Sequence, residues 1–362
     1  MRIAQLAPTY ERVPPRTYGG TELIVHLVTE ELVARGHDVT LFASGDSSTA
    51  ATLRSVTPYP RRYGEPSRSG ISHAEYLQLA NAQAAFRAAA DGGFDVVHSH
   101  AGIEGLVLAA GCPVPVVSTM HNPYVPETRP IWDAYPWFHH AVSAASAATF
   151  PARRALPPIH HGIDVASFRF EARPTDGYLL FLGRFNQAKG ADRAIEAARR
   201  AGRPLLLAGK VDPADAEYMR AAVEPYLDDG RVRFLGEVDG PTKRELLAGA
   251  DALLFPIEWD EPFGLVMIEA LSAGTPVIGF RRASVPEVID DGETGFVVDD
   301  VEAMVAAIGR IGQIDRHVCR AVAEERFSVR RMVDDVEAIY LNVLDQAAPE
   351  LPALPASPRV RW

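Results

Sequence analysis

Two glutamates lie eight positions apart in EPFGLVMIEALSAGTPVIGF, residues 261–280. A helix expected to begin near Phe263 carries on one face Leu265, Ile268, Leu271 and Ser272. Glu269 lies one position round from that face, so its carboxylate is expected near the buried edge. Such a carboxylate must be paired, hydrogen-bonded to a ligand or protonated, because an unpaired buried charge is costly. No Lys or Arg lies on this helix, which leaves a ligand as partner, or a glutamate whose head reaches water.

Two cations follow an apolar strand in FLGRFNQAKGADRAIEAA, residues 181–198. Arg184 comes directly after the strand, and Lys189 precedes Gly190 and a helical pattern. The planar fork of Arg184 and the mobile charge of Lys189 suit the two negative charges of a diphosphate. Taken singly, such residues are more often surface charges. Their place in one loop at the end of a strand favours the phosphate interpretation.

A glycine pair, Gly19 and Gly20, precedes the helical pattern TELIVHLVTEELVARG. Glycines at this point let backbone N–H groups approach an anion at the positive end of a helix. The plainer alternative is a tight turn in which Thr21 helps to cap the helix. The chain contains neither a GxxxxGK[ST] loop nor a GxGxxG fingerprint, so a nucleotide-dependent dehydrogenase is disfavoured.

Histidines end two further strands. His121, followed by Asn122, ends VPVVSTMHN and is expected to face the ligand from the first half of the chain. The alternative is a histidine that is hydrogen-bonded for structural reasons. His98 and His100 in VVHSHAG should point to opposite faces of the sheet, with one of them towards an acceptor. A two-histidine metal site lacks a third ligand, so no metal is predicted.

Short apolar runs alternate with helical patterns along the whole chain, which predicts an α/β fold with parallel sheets covered on both faces. Two such series occur, and they meet in PPIHHGIDVASFRFEARPTDG, residues 157–177, where the periodic pattern breaks down. We therefore predict two doubly wound domains facing each other across a cleft, at residues 1–163 and 164–330. Residues 331–362 are predicted to contribute a helix that returns to the first domain, followed by a proline-rich tail. The helical pattern itself covers residues 315–346.

Composition limits the remaining classes of function. The 362 residues carry a net charge of −11, which argues against general nucleic-acid binding. Cys112 and Cys319 are isolated, so they indicate neither a disulfide framework nor a zinc site. The N-terminal stretch has no signal-peptide core, and no run reaches the roughly 18 apolar residues of a membrane span. A cytoplasmic protein is expected, with peripheral membrane contact left open.

Taken together, these motifs resemble the GT-B-fold glycosyltransferases of family 4, the retaining, glycogen synthase-like enzymes of glycosyltransferase group 1. The resemblance rests on the glycine pair at residues 19–20, HN at residues 121–122, GRFNQAKG from residue 183, and EPFGLVMIE from residue 261. These motifs occur in the family's order and span nearly the whole chain. The resemblance implies a GT-B architecture of two Rossmann-like domains, with the acceptor on the first and the nucleotide sugar on the second.

The resemblance also implies roles for individual residues. Glu269 would accept hydrogen bonds from the ribose, and Glu261 would face the hydroxyls of the donor sugar. The N–H groups of residues 263–265 would hold sugar and phosphate oxygens, and Val238 would contact the base. His121 would lie near the sugar's C6 hydroxyl, while Arg184 and Lys189 would neutralise the diphosphate. The candidate catalytic residues are thus His121, Arg184, Lys189 and Glu261, and the candidate substrate-binding residues are Gly19, Gly20, Asn122, Val238, Phe263, Gly264, Leu265 and Glu269.

The implied function is a retaining hexosyltransferase without metal or other cofactor, which moves a hexose from a nucleotide diphosphate sugar to a small-molecule, lipid or glycan acceptor. UDP-glucose is the first expected donor, followed by GDP-mannose and UDP-galactose. Pro262 replaces a glycine of the commoner family motif, and Glu258 and Asp260 add two acids of open role. The rival interpretations are a non-catalytic protein that binds sugar nucleotides and an epimerase or hydrolase of the same fold.

Overall fold

The computed structural model describes residues 1–17, 19–61, 73–174 and 177–347. Within these ranges the chain forms two six-stranded parallel sheets with helices packed against them. The tail, predicted to be proline-rich, lies outside the described residues. The sequence also predicts that the insert at residues 47–76 lines the acceptor side of the cleft, and part of this insert lies outside the described residues.

The first sheet has the strand order β3-β2-β1-β4-β5-β6. Its strands are β1 (Arg2–Leu6), β2 (Asp38–Phe42), β3 (Thr52–Arg54), β4 (Val96–Ser99), β5 (Val116–Met120) and β6 (Phe138–Ala141). The helices of this half are α1 (Gly20–Ala34), α2 (Ala74–Ala90), α3 (Gly102–Ala109), α4 (Arg129–Ala134) and α5 (Ala144–Ala147). The central strands are buried on both faces, which explains why they appear in the sequence as continuous apolar runs.

The second sheet has the order β12-β11-β10-β7-β8-β9. Its strands are β7 (Leu179–Leu182), β8 (Leu205–Ala208), β9 (Val232–Phe234), β10 (Ala252–Phe255), β11 (Val277–Phe280) and β12 (Gly295–Val298). The helices that follow are α6 (Ala191–Arg200), α7 (Ala216–Tyr218), α8 (Gly240–Gly249), α9 (Leu265–Ser272), α10 (Val285–Val288), α11 (Val301–Ile308), α12 (Arg316–Arg326) and α13 (Val329–Ala347).

Both sheets follow the same doubly wound order, with one switch point each. The order reverses between β1 and β4 in the first sheet and between β7 and β10 in the second. Ligands of such sheets bind beyond the carboxyl ends of the strands at the switch point. The predicted α/β class with two doubly wound sheets is therefore confirmed, and a ligand site is expected at the loops that follow these four strands.

Each sheet has its own apolar core, and the last helix belongs to the core of the first sheet. Met332, Val336, Tyr340 and Val343 of α13 are buried against the residues around β1, β4 and β5. Their spacing of three and four positions puts them on one face of the helix. The chain thus returns from the second half to cover the first. None of the helices in the described ranges is long and apolar enough to span a membrane.

The continuous helical pattern predicted at residues 315–346 is two helices. The break falls at Phe327 and Ser328, where the backbone pairs with the junction segment: Ile163 N–H donates to Phe327 O at 2.8 Å, and Val329 N–H donates to Ile163 O at 3.1 Å. These partners take the backbone out of the helical hydrogen-bond ladder. A Cβ at Gly162 would lie 2.3 Å from the Ser328 carbonyl oxygen, so only glycine allows this crossing.

Two glycines with positive φ, one in the loop after β7 and one after α6, allow the effect of close packing to be tested. Gly190 has a φ of 72°, and a Cβ there would lie 2.1 Å from the Pro256 carbonyl oxygen. Gly202 has a φ of 65°, but a Cβ there would meet nothing within 4 Å. We expect Gly202→Ala to lower the free energy of unfolding by about 1 kcal/mol, the cost of a left-handed alanine. Gly190→Ala should cost about 3 kcal/mol or more, because the loop must also move.

Chemical denaturation of both variants and the unchanged chain measures this difference. Equal losses for the two variants would show that the contact between Gly190 and Pro256 does not constrain the loop.

Candidate active site

A cavity of about 540 Å³ opens between the two sheets. Its volume lies within the range of ordinary small-molecule sites. The structure brings all twelve sequence-predicted site residues to its walls, namely Gly19, Gly20, His121, Asn122, Arg184, Lys189, Val238, Glu261, Phe263, Gly264, Leu265 and Glu269. Residues from both halves of the chain therefore meet at one place, and the roles predicted for them can be compared with their contacts.

Lys189 and Glu261 form an ion pair across the switch point of the second sheet. Asn186 holds the backbone of Lys189 by accepting its N–H at 3.1 Å. Trp259 donates its indole N–H to Glu261 at 2.9 Å, and its ring lies 5.0 Å from the Lys189 ammonium. Lys189 is thus engaged with a carboxylate, whereas the sequence suggested a mobile cation. Both side chains of the pair are largely buried, so a bound anion must share or replace this carboxylate.

Helix α9 begins at Leu265, two residues later than predicted. Gly264 precedes it with a φ of 82°, a left-handed conformation that cannot continue into a helix. The loop before it is fixed by Ser284, whose hydroxyl lies 2.8 Å from the Phe263 carbonyl oxygen and 3.2 Å from that of Glu261. The first N–H groups of α9 belong to the cavity wall, where the positive end of the helix favours negative charge.

Glu269 is 3% exposed and accepts a hydrogen bond from the Lys243 ammonium at 2.5 Å. The sequence correctly shows no cation on its own helix, but it does not reveal that a lysine of another helix is a partner of Glu269. Lys243 comes from α8, which precedes β10, and sequence spacing does not show that its side chain reaches α9. The pair places a carboxylate and an ammonium group together at the cavity wall.

Several residues outside the predicted set also line the cavity, among them Lys210, Glu237 and Lys243. Lys210 and Glu237 follow β8 and β9, at the same edge of the sheet as Arg184. Asp212 lies 3.9 Å from a guanidinium nitrogen of Arg184 and also pairs with Lys210. Their position just beyond strand ends is the signal that could have found them.

Glu258 and Asp260, whose role the sequence left open, are each held by an arginine. Glu258 accepts a hydrogen bond from Arg193 at 3.0 Å, and Asp260 accepts one from Arg282 at 3.1 Å. Neither acid lies on the cavity wall. The structure therefore favours the loop interpretation over contact with donor hydroxyls.

The glycine pair brings α1 close to the opposite wall. Gly19 precedes the helix with a φ of 157°, and Gly20 is its first residue. A Cβ at Gly20 would lie 3.3 Å from Cδ1 of Leu265 at the start of α9. The amino ends of α1 and α9 thus face each other across the cleft, and small residues are what permit the approach. Among the described residues, no side chain caps α1, so the suggested Thr21 cap is absent.

His98 and His100 do not point to opposite faces as predicted. Side chains alternate along a strand with a period of two, so residues two positions apart lie on the same face, and the two rings lie 4.2 Å apart. His100 Nδ1 is 2.8 Å from His121 Nε2, and the His121 ring stacks on His161 with 5.1 Å between centroids. Burial lowers the pKa of His121 to about 3, so this histidine is neutral at pH 7.

The described residues contain no group of three or more His, Cys, Asp and Glu side chains arranged to hold a metal ion. Cys112 and Cys319 are free and buried. Burial raises the pKa of the Cys112 thiol to about 11 and that of Cys319 to about 12, which makes both unreactive at neutral pH.

Comparison with known proteins defines the class to which this site belongs. The model for glycosyl transferases group 1 matches residues 163–322, and the model for glycosyltransferase family 4 matches residues 18–167. A phosphatidyl-myo-inositol mannosyltransferase of Mycolicibacterium smegmatis is 28% identical over 363 residues, covering 91% of this chain and 89% of that protein.

Solved structures share the fold. A sucrose-phosphate synthase from Thermosynechococcus elongatus matches 96% of this chain and 100% of its own, with 22% identity and a TM-score of 0.77. The Anabaena protein HepE, solved with UDP and glucose, matches 94% and 100% of the two chains, with 18% identity and a TM-score of 0.69.

The two facing sheets and the site between them define a GT-B glycosyltransferase, an enzyme that takes sugar from a nucleotide sugar. The chain is a family 4-like glycosyltransferase and a hexosyltransferase.

The ion pair of Glu269 with Lys243 predicts a double-mutant result. We expect Lys243→Met to lower the free energy of unfolding by about 3 kcal/mol, because it leaves a buried carboxylate unpaired. Lys243→Met combined with Glu269→Gln should recover most of this loss. Lys210→Met is the control, since its pair with Asp212 is about a quarter exposed on each side and should contribute under about 1 kcal/mol.

Urea denaturation of the four proteins measures these differences. If the double variant is as unstable as Lys243→Met, the buried charge is not the cause of the loss.

Proposed function

We propose that the chain is a retaining hexosyltransferase that acts without a metal ion and uses a nucleotide diphosphate sugar as donor. One observation carries this proposal: cations and carboxylates converge on a single wall of the cavity. Arg184, Lys189, Lys210 and Lys243 supply positive charge, and Glu261 and Glu269 supply hydrogen-bond acceptors. Cations suit a diphosphate, and carboxylates suit ribose and sugar hydroxyls.

The proposed chemistry is charge stabilisation of the leaving group. As the bond from the sugar carbon to the phosphate oxygen breaks, Arg184 and Lys189 neutralise the charge that develops on the diphosphate. The amino end of α9 adds its positive dipole on the same side. In retention by front-face attack, the acceptor oxygen forms the new bond on the face that the phosphate leaves, and the phosphate takes the acceptor proton.

For the donor, UDP-glucose is the first candidate, with GDP-mannose and UDP-galactose next. HepE, which shares the fold, was solved with UDP and glucose, and this favours the uridine nucleotide. The Mycolicibacterium relative is named for mannosyl transfer to phosphatidyl-myo-inositol, and this keeps mannose and a lipid or inositol acceptor in the set to test. The acceptor is proposed to bind on the side of the first domain.

Calorimetric titration with UDP, GDP and ADP, each with and without EDTA, tests the donor class. We expect selective micromolar binding of one nucleotide and no effect of EDTA on binding or transfer. The corresponding sugars are then screened with acceptors, and the anomeric configuration of the product is read by NMR. Failure to bind any of the three nucleotides would overturn the proposal, and loss of transfer in EDTA would overturn metal independence.

Glu269→Ala tests the proposed ribose contact. Loss of a hydrogen bond to a carboxylate should weaken nucleotide binding by about 1.5–3 kcal/mol, roughly ten- to a hundredfold in Kd. Glu258→Ala is the matched control. This glutamate lies in the loop between β10 and α9, the helix that carries Glu269, but it pairs with Arg193 and does not line the cavity. Equal affinities for Glu269→Ala and the unchanged protein, measured on folded samples, would remove Glu269 from the nucleotide site.

A further inference from the structure

A chain of buried hydrogen bonds runs from the cavity into the first domain and ends at a backbone carbonyl. It begins at His121 and passes through His100 to Gln5 on β1, with distances of 2.8 and 3.1 Å. Gln5 then lies 3.1 Å from the hydroxyl of Tyr340 on α13. We use the name histidine relay for these side chains together with His98, Thr119 and His140, which continue the path.

Beyond Tyr340 the relay continues through three more side chains. The Tyr340 hydroxyl is 2.6 Å from His98 Nδ1, and His98 Nε2 is 2.6 Å from the Thr119 hydroxyl. That hydroxyl is 2.8 Å from His140 Nε2, and His140 Nδ1 is 3.1 Å from the Ala141 carbonyl oxygen. The six residues that connect His121 to this carbonyl are 4% exposed or less.

The four histidines of the relay are neutral at pH 7. Burial lowers the pKa of His140 to about 4 and holds those of His98 and His100 well below the usual value. His121 is lowered in the same way. A neutral imidazole has one N–H and one lone pair, so each ring in the relay donates on one side and accepts on the other.

The terminal carbonyl therefore sets the direction of every bond. A carbonyl only accepts, so His140 carries its proton on Nδ1 and accepts at Nε2. The Thr119 hydroxyl then donates to His140 and accepts from His98 Nε2–H. His98 accepts at Nδ1 from the Tyr340 hydroxyl.

The same logic carries through to the cavity. With its proton donated to His98, the Tyr340 oxygen accepts from the Gln5 amide NH₂. This fixes the Gln5 oxygen towards His100, whose Nε2 must donate to it. His100 accepts at Nδ1, so His121 donates its Nε2–H to His100.

We infer that the histidine relay holds His121 in the Nε2–H tautomer and so presents its Nδ1 lone pair as a hydrogen-bond acceptor for a hydroxyl of the ligand. In the described part of the chain, no residue hydrogen-bonds this Nδ1. His98, His100, Gln5, Thr119, His140 and Tyr340 are positioning residues, because they act on the ligand only through His121. The step to the ligand rests on the proposed function, whereas the tautomer does not.

The weakest point of the relay is Tyr340, which alone comes from α13. Without its hydroxyl, the Gln5 amide loses the acceptor that fixes its orientation and can flip. A flipped amide donates to His100, which then donates from Nδ1 and forces the proton of His121 onto Nδ1. Tyr340→Phe should therefore give a mixture of the two His121 tautomers.

Long-range ¹H–¹⁵N NMR of the full-length protein labelled at histidine tests the inference directly, with signals assigned through His→Gln variants. In the unchanged protein we expect protons on Nε2 of His98, His100 and His121, and on Nδ1 of His140. A proton on Nδ1 of His121 would overturn the inference without any variant.

Tyr340→Phe is compared with Tyr135→Phe, which removes a buried hydroxyl of the same domain that lies outside the relay and bonds the Phe138 carbonyl at 2.9 Å. We expect mixed His121 tautomers and about three- to tenfold slower sugar transfer only for Tyr340→Phe. A single Nε2–H tautomer in folded Tyr340→Phe would overturn the relay.

The NMR experiment needs neither donor nor acceptor. A confirmed relay in a protein that binds no nucleotide would overturn the proposed function alone, and the wrong tautomer in an active transferase would overturn the relay alone.

Discussion

The neutralisation of two glutamates by lysines from other elements is the constraint on which the cavity depends. Glu261 and Glu269 lie within one strand-to-helix segment, and both carboxylates are mostly withdrawn from water. Charges placed there without partners would destabilise the fold by several kcal/mol. Lys189 and Lys243 supply the partners, and each of them must arrive from a different loop or helix. The sheet order makes this arrangement reachable, because β7 and β10 are neighbours and their following loops meet.

This pairing changes what a bound anion does to the site. Each lysine neutralises a glutamate, so the wall is nearly balanced in charge. A diphosphate that draws Lys189 towards itself leaves Glu261 to find hydrogen-bond donors, and the hydroxyls of a sugar are such donors. Under the proposed function, recognition of the phosphate and recognition of the sugar are therefore coupled through one ion pair. A ligand with only one of the two groups would leave a buried charge with a poorer partner.

The sequence was informative where function follows from position along a strand. Arg184, Glu261 and His121 could be placed at the cavity because each follows an apolar run, and parallel strands end at one edge. It was uninformative where a contact joins distant elements. Lys243 reaches Glu269 from another helix, and the helix break at Ser328 depends on pairing with Ile163, 165 residues earlier. The prediction for His98 and His100 was wrong for another reason, since the two-residue period of a strand puts residues two positions apart on one face.

The crossing at Ile163 and Ser328 has a further consequence for the site. It fixes where α13 begins, and the helix then delivers Tyr340 a little over three turns later, against β1 and β4. Tyr340 lies 335 residues from Gln5, and both belong to the buried interior of the first domain. The last helix thus fills the first core and also completes a polar network whose every member needs a partner. A histidine at the cavity owes its orientation to this return of the chain, because the hydroxyl that directs its bonds comes from the far end of the sequence.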